Sequence, residues 1–116
     1  MPSSHPERVF TLHDARAMLP EIQKMTAAAA SQVEPLVAQL DALEEDSPEH
    51  AHLQASVSLI VSAWAEAVRD FGAEAKGVWL VDFDTGNGYY CWKHPEATLS
   101  HYHGYEDGFA GRMKIV

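Results

Sequence analysis

Between Leu12 and Leu43, positions taken at alternating steps of three and four are Leu12, Ala15, Leu19, Ile22, Thr26, Ala29, Val33, Leu36, Leu40 and Leu43, nine of ten of them apolar. This is a heptad seam, and one of this length commits the chain to a long helix with a partner laid along it. Thr11-Leu-His-Asp14 matches a capping box, in which the hydroxyl accepts from a free N–H of the first turn. The spacing therefore predicts helix 1 over 12–44. Pro20 and Pro35 lie inside it, each removing an N–H and crowding the carbonyl four residues back, so a bend is expected near each.

The partner follows directly. Asp46-Ser47-Pro48-Glu49 supplies a turn, a capping serine and a proline at the first helical position, where its missing N–H costs nothing. A second seam, Leu53, Val57, Ile60, Trp64, Ala67 and Phe71, ends at Gly72, a natural left-handed cap. Helix 2 is predicted over 48–71. So short a connection forces the helices antiparallel, with an acidic tip at 44–49. Met18, Met25, Val37, Leu59, Val61 and Val68 lie off the seam, where they meet either a sheet or a second copy of the chain, so a homodimer is expected.

After Gly77 the period changes. Val78-Trp-Leu-Val-Asp-Phe83 is rich in β-branched and aromatic residues, and Asp84-Thr-Gly-Asn-Gly88 then turns the chain into Tyr89-Tyr-Cys-Trp-Lys93. His94-Pro95 ends that strand. Residues 97–103 read as a third strand and 113–115 as a short last one, while 8–10 suit an edge. The expected fold class is α+β: a long antiparallel helical hairpin packed against a small antiparallel β-meander, as a single domain over 1–116 with its sheet region at 78–116.

Composition narrows the function. A formal charge of -9 argues against nucleic acid, because that affinity comes from Lys and Arg neutralising phosphates. Between Lys24 and Arg69 there is no cation, while Glu34, Asp41, Glu44, Glu45, Asp46, Glu49 and Glu66 are all anionic. That stretch is a solvated acidic surface or, alternatively, a docking face for a basic protein partner. No apolar run reaches the roughly 20 residues that span a bilayer, and MPSSHPER lacks a signal-peptide pattern, so a soluble, cytoplasmic protein without membrane contact is expected. His5 belongs to a tail expected to be disordered.

Chemistry concentrates between Cys91 and Arg112. His101 and His103 are two apart in a predicted strand and so share a face, which lets two imidazoles converge on one ion. A divalent metal such as zinc or iron needs a further ligand, and Glu96 and Glu106 flank the strand. The alternative is that both histidines simply bond carbonyls in an aromatic-rich sheet. Arg112, set among glycines, suits either an anion clamp or a pair with Glu106, Asp107 or Asp82. Trp92 suits either ligand stacking or the core. Cys91 has no neighbouring cation or helix N-terminus to activate it and reads as space-filling, and no pair of groups has a spacing that dictates acid and base roles. His94 has no fixed relation to the others, and His50 and His52 diverge on their helix.

Phe10-Thr-Leu-x-x-Ala15, Leu19-Pro20, Val81-Asp-Phe83, Cys91-Trp92, Glu96, His103 and Gly108-Phe-x-Gly-Arg112 together resemble the bacterial protein family known as domain of unknown function 2203. The resemblance covers nearly the whole chain and implies a small uncharacterised bacterial protein with no established reaction. His94 and His101 fall outside its pattern, which has glycine where this chain has Pro95. The function expected from these readings is metal-ion or small anionic ligand binding at a cluster of Glu96, His101, His103, Glu106 and Arg112. A non-enzymatic interaction module built on the acidic hairpin is the alternative.

Overall fold

The computed structural model describes residues 8–116, so His5 lies outside the described residues. Helix α1 spans Leu12–Asp41 and starts at Thr11, whose Oγ1 accepts from the Asp14 N–H at 3.0 Å. It continues through both Pro20 and Pro35 and stops at Asp41, short of the expected 44. Helix α2 spans Pro48–Asp70, capped by Ser47, which accepts from the His50 N–H at 3.1 Å. Gly72 follows with φ +90°, the left-handed conformation that a residue without Cβ adopts at no steric cost.

Five strands follow: β1 Glu74–Gly77, β2 Leu80–Asp84, β3 Tyr89–Lys93, β4 His101–His103 and β5 Met113–Lys114. They pair antiparallel in chain order, β1-β2-β3-β4-β5, which makes the sheet a meander. The family of elements is the expected α+β hairpin on a sheet, with three local differences. The stretch expected to be a connector up to Gly77 is β1, because the run from Val78 to Phe83 breaks at Trp79, where φ is +62°. The third predicted strand is confined to His101–His103, since residues 94–98 turn and bend and 99–100 form no ladder. Among the described residues near the N-terminus one ladder-like bond forms, from the Phe10 N–H to the Asp84 carbonyl at 2.7 Å, and 8–10 is not a strand.

One sheet face meets the hairpin. Alternation sends Val81, Phe83 and Trp92 to that side, where they join Ala15, Leu19, Ile22, Trp64 and Val68 in a single core. Trp79 accepts its left-handed backbone, worth about 1–2 kcal/mol, and its indole stacks edge-on against Trp64, with centroids 5.0 Å apart. Toward the tip the seam is shared by only two helices, so Leu36, Leu40, Leu43, Leu53, Val57 and Ile60 are half-buried rather than buried.

The one polar position of the α1 seam is also its most specific. Thr26 is fully buried, donates to the Ile22 carbonyl at 2.6 Å and accepts from the Trp64 indole N–H at 2.8 Å. Thr26→Val keeps the shape but leaves that indole N–H unpaired, an expected loss of about 1–3 kcal/mol. Thr26→Ser, which keeps the hydroxyl, is expected to lose less. Urea denaturation of the two variants checks the order.

Candidate metal centre

The face of the sheet turned away from the helices is built from the alternate residues. Registers Glu74↔Asp82↔Cys91↔His101↔Lys114 run across it as one row, and Asp84↔Tyr89↔His103 as the next. A polar face of this kind normally meets water. Here residues after β4 fold back over it. The Tyr105 hydroxyl donates to Asp84 Oδ1 at 2.7 Å and its ring stands edge-on to Tyr89, with centroids 5.1 Å apart. Arg112 reaches Glu96, and Phe109 lies against the Arg112 guanidinium at 4.2 Å.

Beneath this cover Asp82, Cys91 and His103 are 2%, 0% and 3% exposed. One ligand atom from each lies within 4.8 Å of the other two. His103 Nδ1 sits 2.7 Å from the Gly104 carbonyl, which only accepts, so Nδ1 carries a hydrogen. Its Nε2 is thereby aimed at Asp82 Oδ2, 3.0 Å away, and a carboxylate can meet it there only by sharing a proton. The position of β4 is itself fixed tightly. Gly88 has φ +156°, and a Cβ there would stand 2.7 Å from the His103 carbonyl oxygen.

Burial sets the electrostatics. It pushes the Asp82 carboxyl above the ordinary carboxylate range, against the opposing pull of Cys91 and His103. The Cys91 thiol is pushed up to about 12 by burial and by the neighbouring Asp82 carboxylate, with Arg112 opposing. Protons therefore occupy the positions that a cation would take.

Among the described residues, two buried side-chain atoms lack a hydrogen-bond partner: Asp82 Oδ1 and His101 Nδ1. They belong to the cross-strand neighbours of Cys91 on either side. Buried polar atoms are nearly always paired, so two orphans flanking one thiol mark a place built for something more than packing.

The residues singled out from the sequence divide between this centre and its rim. His103 is in it. His101 borders it, with Nδ1 turned 3.7 Å from Glu96 Oε2. Glu96 is occupied: Oε1 accepts from Arg112 Nη1 at 2.9 Å and from the Lys93 N–H at 2.8 Å. Burial raises the Glu96 carboxyl, but the Arg112 guanidinium and the Lys93 N–H outweigh it and hold the group below its usual value. Arg112 thus pairs with Glu96 rather than with Glu106, Asp107 or Asp82. Glu106 is exposed in the turn after β4, outside the cluster. Trp92 is in the core, 1% exposed, with its indole N–H donating to the Glu96 carbonyl at 2.8 Å, so its ring offers no face to a ligand.

Asp82 and Cys91 were missed as ligands. The sequence offers Asp82 only as a partner for Arg112, and Cys91 as a space-filler. The signal was present nonetheless, since Asp82 is the lone polar residue between Val78 and Phe83, and pairing Asp84 with Tyr89 across the turn places it opposite Cys91.

The model of a protein family described as an uncharacterised conserved protein, DUF2203, matches residues 8–115. No curated protein and no solved structure matches the chain.

Proposed function

Because the chain belongs to the DUF2203 family of uncharacterised conserved proteins, a family that brings no reaction with it, we propose from its own geometry that the protein binds one divalent transition-metal ion, zinc by preference. The ligands are Cys91 Sγ, His103 Nε2 and Asp82, with His101 as the fourth after it turns from Glu96. The observation that carries this reading is the convergence of Asp82, Cys91 and His103, all buried, with one ligand atom from each within 4.8 Å of the other two.

Donor chemistry supports the choice of ion. A thiolate with imidazole and carboxylate oxygen suits zinc and disfavours magnesium or calcium, which take all-oxygen sites. The Gly104 carbonyl on His103 Nδ1 is the kind of outer contact that fixes the tautomer of a metal-bound histidine and aims its other nitrogen. Closure of the site by residues 104–112 favours a structural ion over a catalytic one, which keeps an open position. Such an ion would tie β2, β3 and β4 together. The Glu96–Arg112 pair, considered as an anion site, is internally neutralised and offers no free charge to a ligand. No helix among the described residues is long and apolar enough to cross a membrane. A cytoplasmic location fits a single cysteine that is buried and unpaired.

Binding must displace the Cys91 proton and the one shared by His103 and Asp82. Zinc titrated into chelator-treated protein at pH 7 is expected to bind one ion per chain and release about two protons. The heat of binding, measured in buffers of different ionisation enthalpy, reads that number. Apparent affinity should rise with pH, by at least roughly tenfold per unit between pH 6 and 8, because the thiol remains protonated in the free protein. Binding without proton release would place the ion elsewhere.

A further inference from the structure

Arg112 stands just before β5, in line with its ladder. Strands β4 and β5 pair Tyr102 with Met113 and His101 with Lys114, and Arg112 keeps an extended backbone, at φ -60° and ψ 139°. Continued by one residue, that register sets Arg112 opposite His103, on the same face of the sheet, because successive side chains alternate. The guanidinium ends up two rows away. Its Nη1 donates to Glu96 Oε1 at 2.9 Å. Glu96 in turn is anchored on the far side of the Cys91 row, where Oε1 accepts from the Lys93 N–H at 2.8 Å and Oε2 stands 3.7 Å from His101 Nδ1. To run from a backbone beside His103 to an anchor beside Lys93, the Arg112 side chain has to cross the row that holds Cys91 and His101.

Burial and chemistry agree with that path. The Arg112 side chain is 14% exposed, and it is a group that opposes the upward push of burial and of Asp82 on the Cys91 thiol. A guanidinium carries several N–H donors in a planar fork and accepts nothing. Glu96 takes one of them and Phe109 covers a face of the plane, 4.2 Å from its ring centroid. In-plane donors remain for an acceptor alongside. A thiol accepts weakly, whereas a charged acceptor makes the shorter and stronger bond.

We infer that Arg112 is a positioning residue of the metal centre: it donates an N–H to the Cys91 sulfur once that sulfur is a metal-bound thiolate, while Glu96 holds the guanidinium in place. This rests on the Cys91 site proposed above. A divalent ion balances the charges of Cys91 and Asp82, and Arg112 balances Glu96, so the assembled centre is neutral, as a buried one needs to be. Cys91 is 0% exposed, so water does not reach the lone pairs that its sulfur keeps after binding a metal, and a protein donor satisfies them.

Cobalt reads this bond directly. A hydrogen bond to sulfur draws charge from it and moves the thiolate-to-metal charge-transfer band to higher energy. Glu96→Gln leaves Arg112 an amide oxygen as anchor and is expected to keep the wild-type band. Adding Arg112→Met to Glu96→Gln removes the donor without leaving a carboxylate unpaired, and should move the band to longer wavelength and weaken zinc binding ten- to a hundredfold. Phe109→Leu, which loosens the same segment but keeps the guanidinium, should leave the band in place. An unmoved band in the Arg112→Met variant overturns the inference, as does an equal shift in Phe109→Leu, which would reduce Arg112 to a tie for the segment. In both cases a wild type that binds cobalt with a thiolate band retains the Cys91 site. A wild type without that band removes the site and this inference together.

Discussion

Cys91→Ser is expected to lower the affinity for zinc by a hundredfold or more at pH 7.5, without unfolding the protein. Serine fills nearly the same volume and keeps a donor where the Cys91 thiol faces Asp82, so the metal-free variant should be close to its parent in stability. What it loses is the thiolate, the softest donor of the set and the one that separates zinc from hard cations. Loss of an outer-shell partner alone costs ten- to a hundredfold in metal affinity, which makes about a hundredfold a minimum for a direct ligand. Competition against a chromophoric chelator reads the change. A thermal shift reads it independently, because zinc at a thousand times its dissociation constant adds about 4 kcal/mol to the parent. Equal affinity in Cys91→Ser and parent would remove Cys91 from the site. Cobalt adds a spectroscopic signature: a thiolate-to-metal charge-transfer band in the near ultraviolet that the parent shows and the serine variant lacks.

Trp92→Ala is expected to cost about 3–5 kcal/mol, the largest stability loss of any substitution considered, because it empties the centre of the core. Trp92 is 1% exposed and packs with Val81, Phe83 and the inward face of the hairpin. Trp92→Phe should cost less, about 1–3 kcal/mol from the lost hydrogen bond and the smaller ring, while the Glu96 carbonyl keeps the Gln23 amide at 3.2 Å as a second donor. Urea denaturation separates the two. A tryptophan that served a ligand on the surface would show the reverse pattern, with little loss of stability on truncation to alanine.

The helices were legible because their signals are local and repeated. Thr11, Ser47-Pro48 and Gly72 mark ends through bonds to neighbours in sequence, and two seams with one period require each other. Strand β1 was hidden because Glu74-Ala-Lys-Gly77 has little β-propensity and forms only against β2, and because the turn between them needs Trp79 at positive φ, where the packing of its indole on Trp64 overrides local preference. Tertiary context won there, whereas helix α1 runs through both prolines as its seam predicts.

The candidate centre was half legible for a related reason. His101 and His103 share a strand, so alternation finds them. Asp82 and Cys91 reach His103 only through lateral pairing of three strands, and register across a sheet depends on turn length. The loop Thr85–Gly88 closes between Asp84 and Tyr89, with the Thr85 N–H donating to the Gly88 carbonyl at 2.8 Å. Counting back from that closure places Asp82 beside Cys91, whereas a two-residue turn at Asn87-Gly88 would have placed it elsewhere. Glu96 and Glu106 were attractive as carboxylates near the histidines in sequence. In the fold Glu96 is taken by Arg112, and Glu106 faces water.

The most direct test is the anomalous difference map of crystals grown from zinc-saturated protein, collected above and below the zinc edge. The account predicts one strong peak per chain, bonded to Cys91 Sγ at about 2.3 Å and to His103 Nε2 at about 2.0–2.1 Å, with an oxygen of Asp82 in the same shell. A map whose zinc sits only on surface histidines such as His50 or His52, with the His103 to Asp82 hydrogen bond intact, would contradict it.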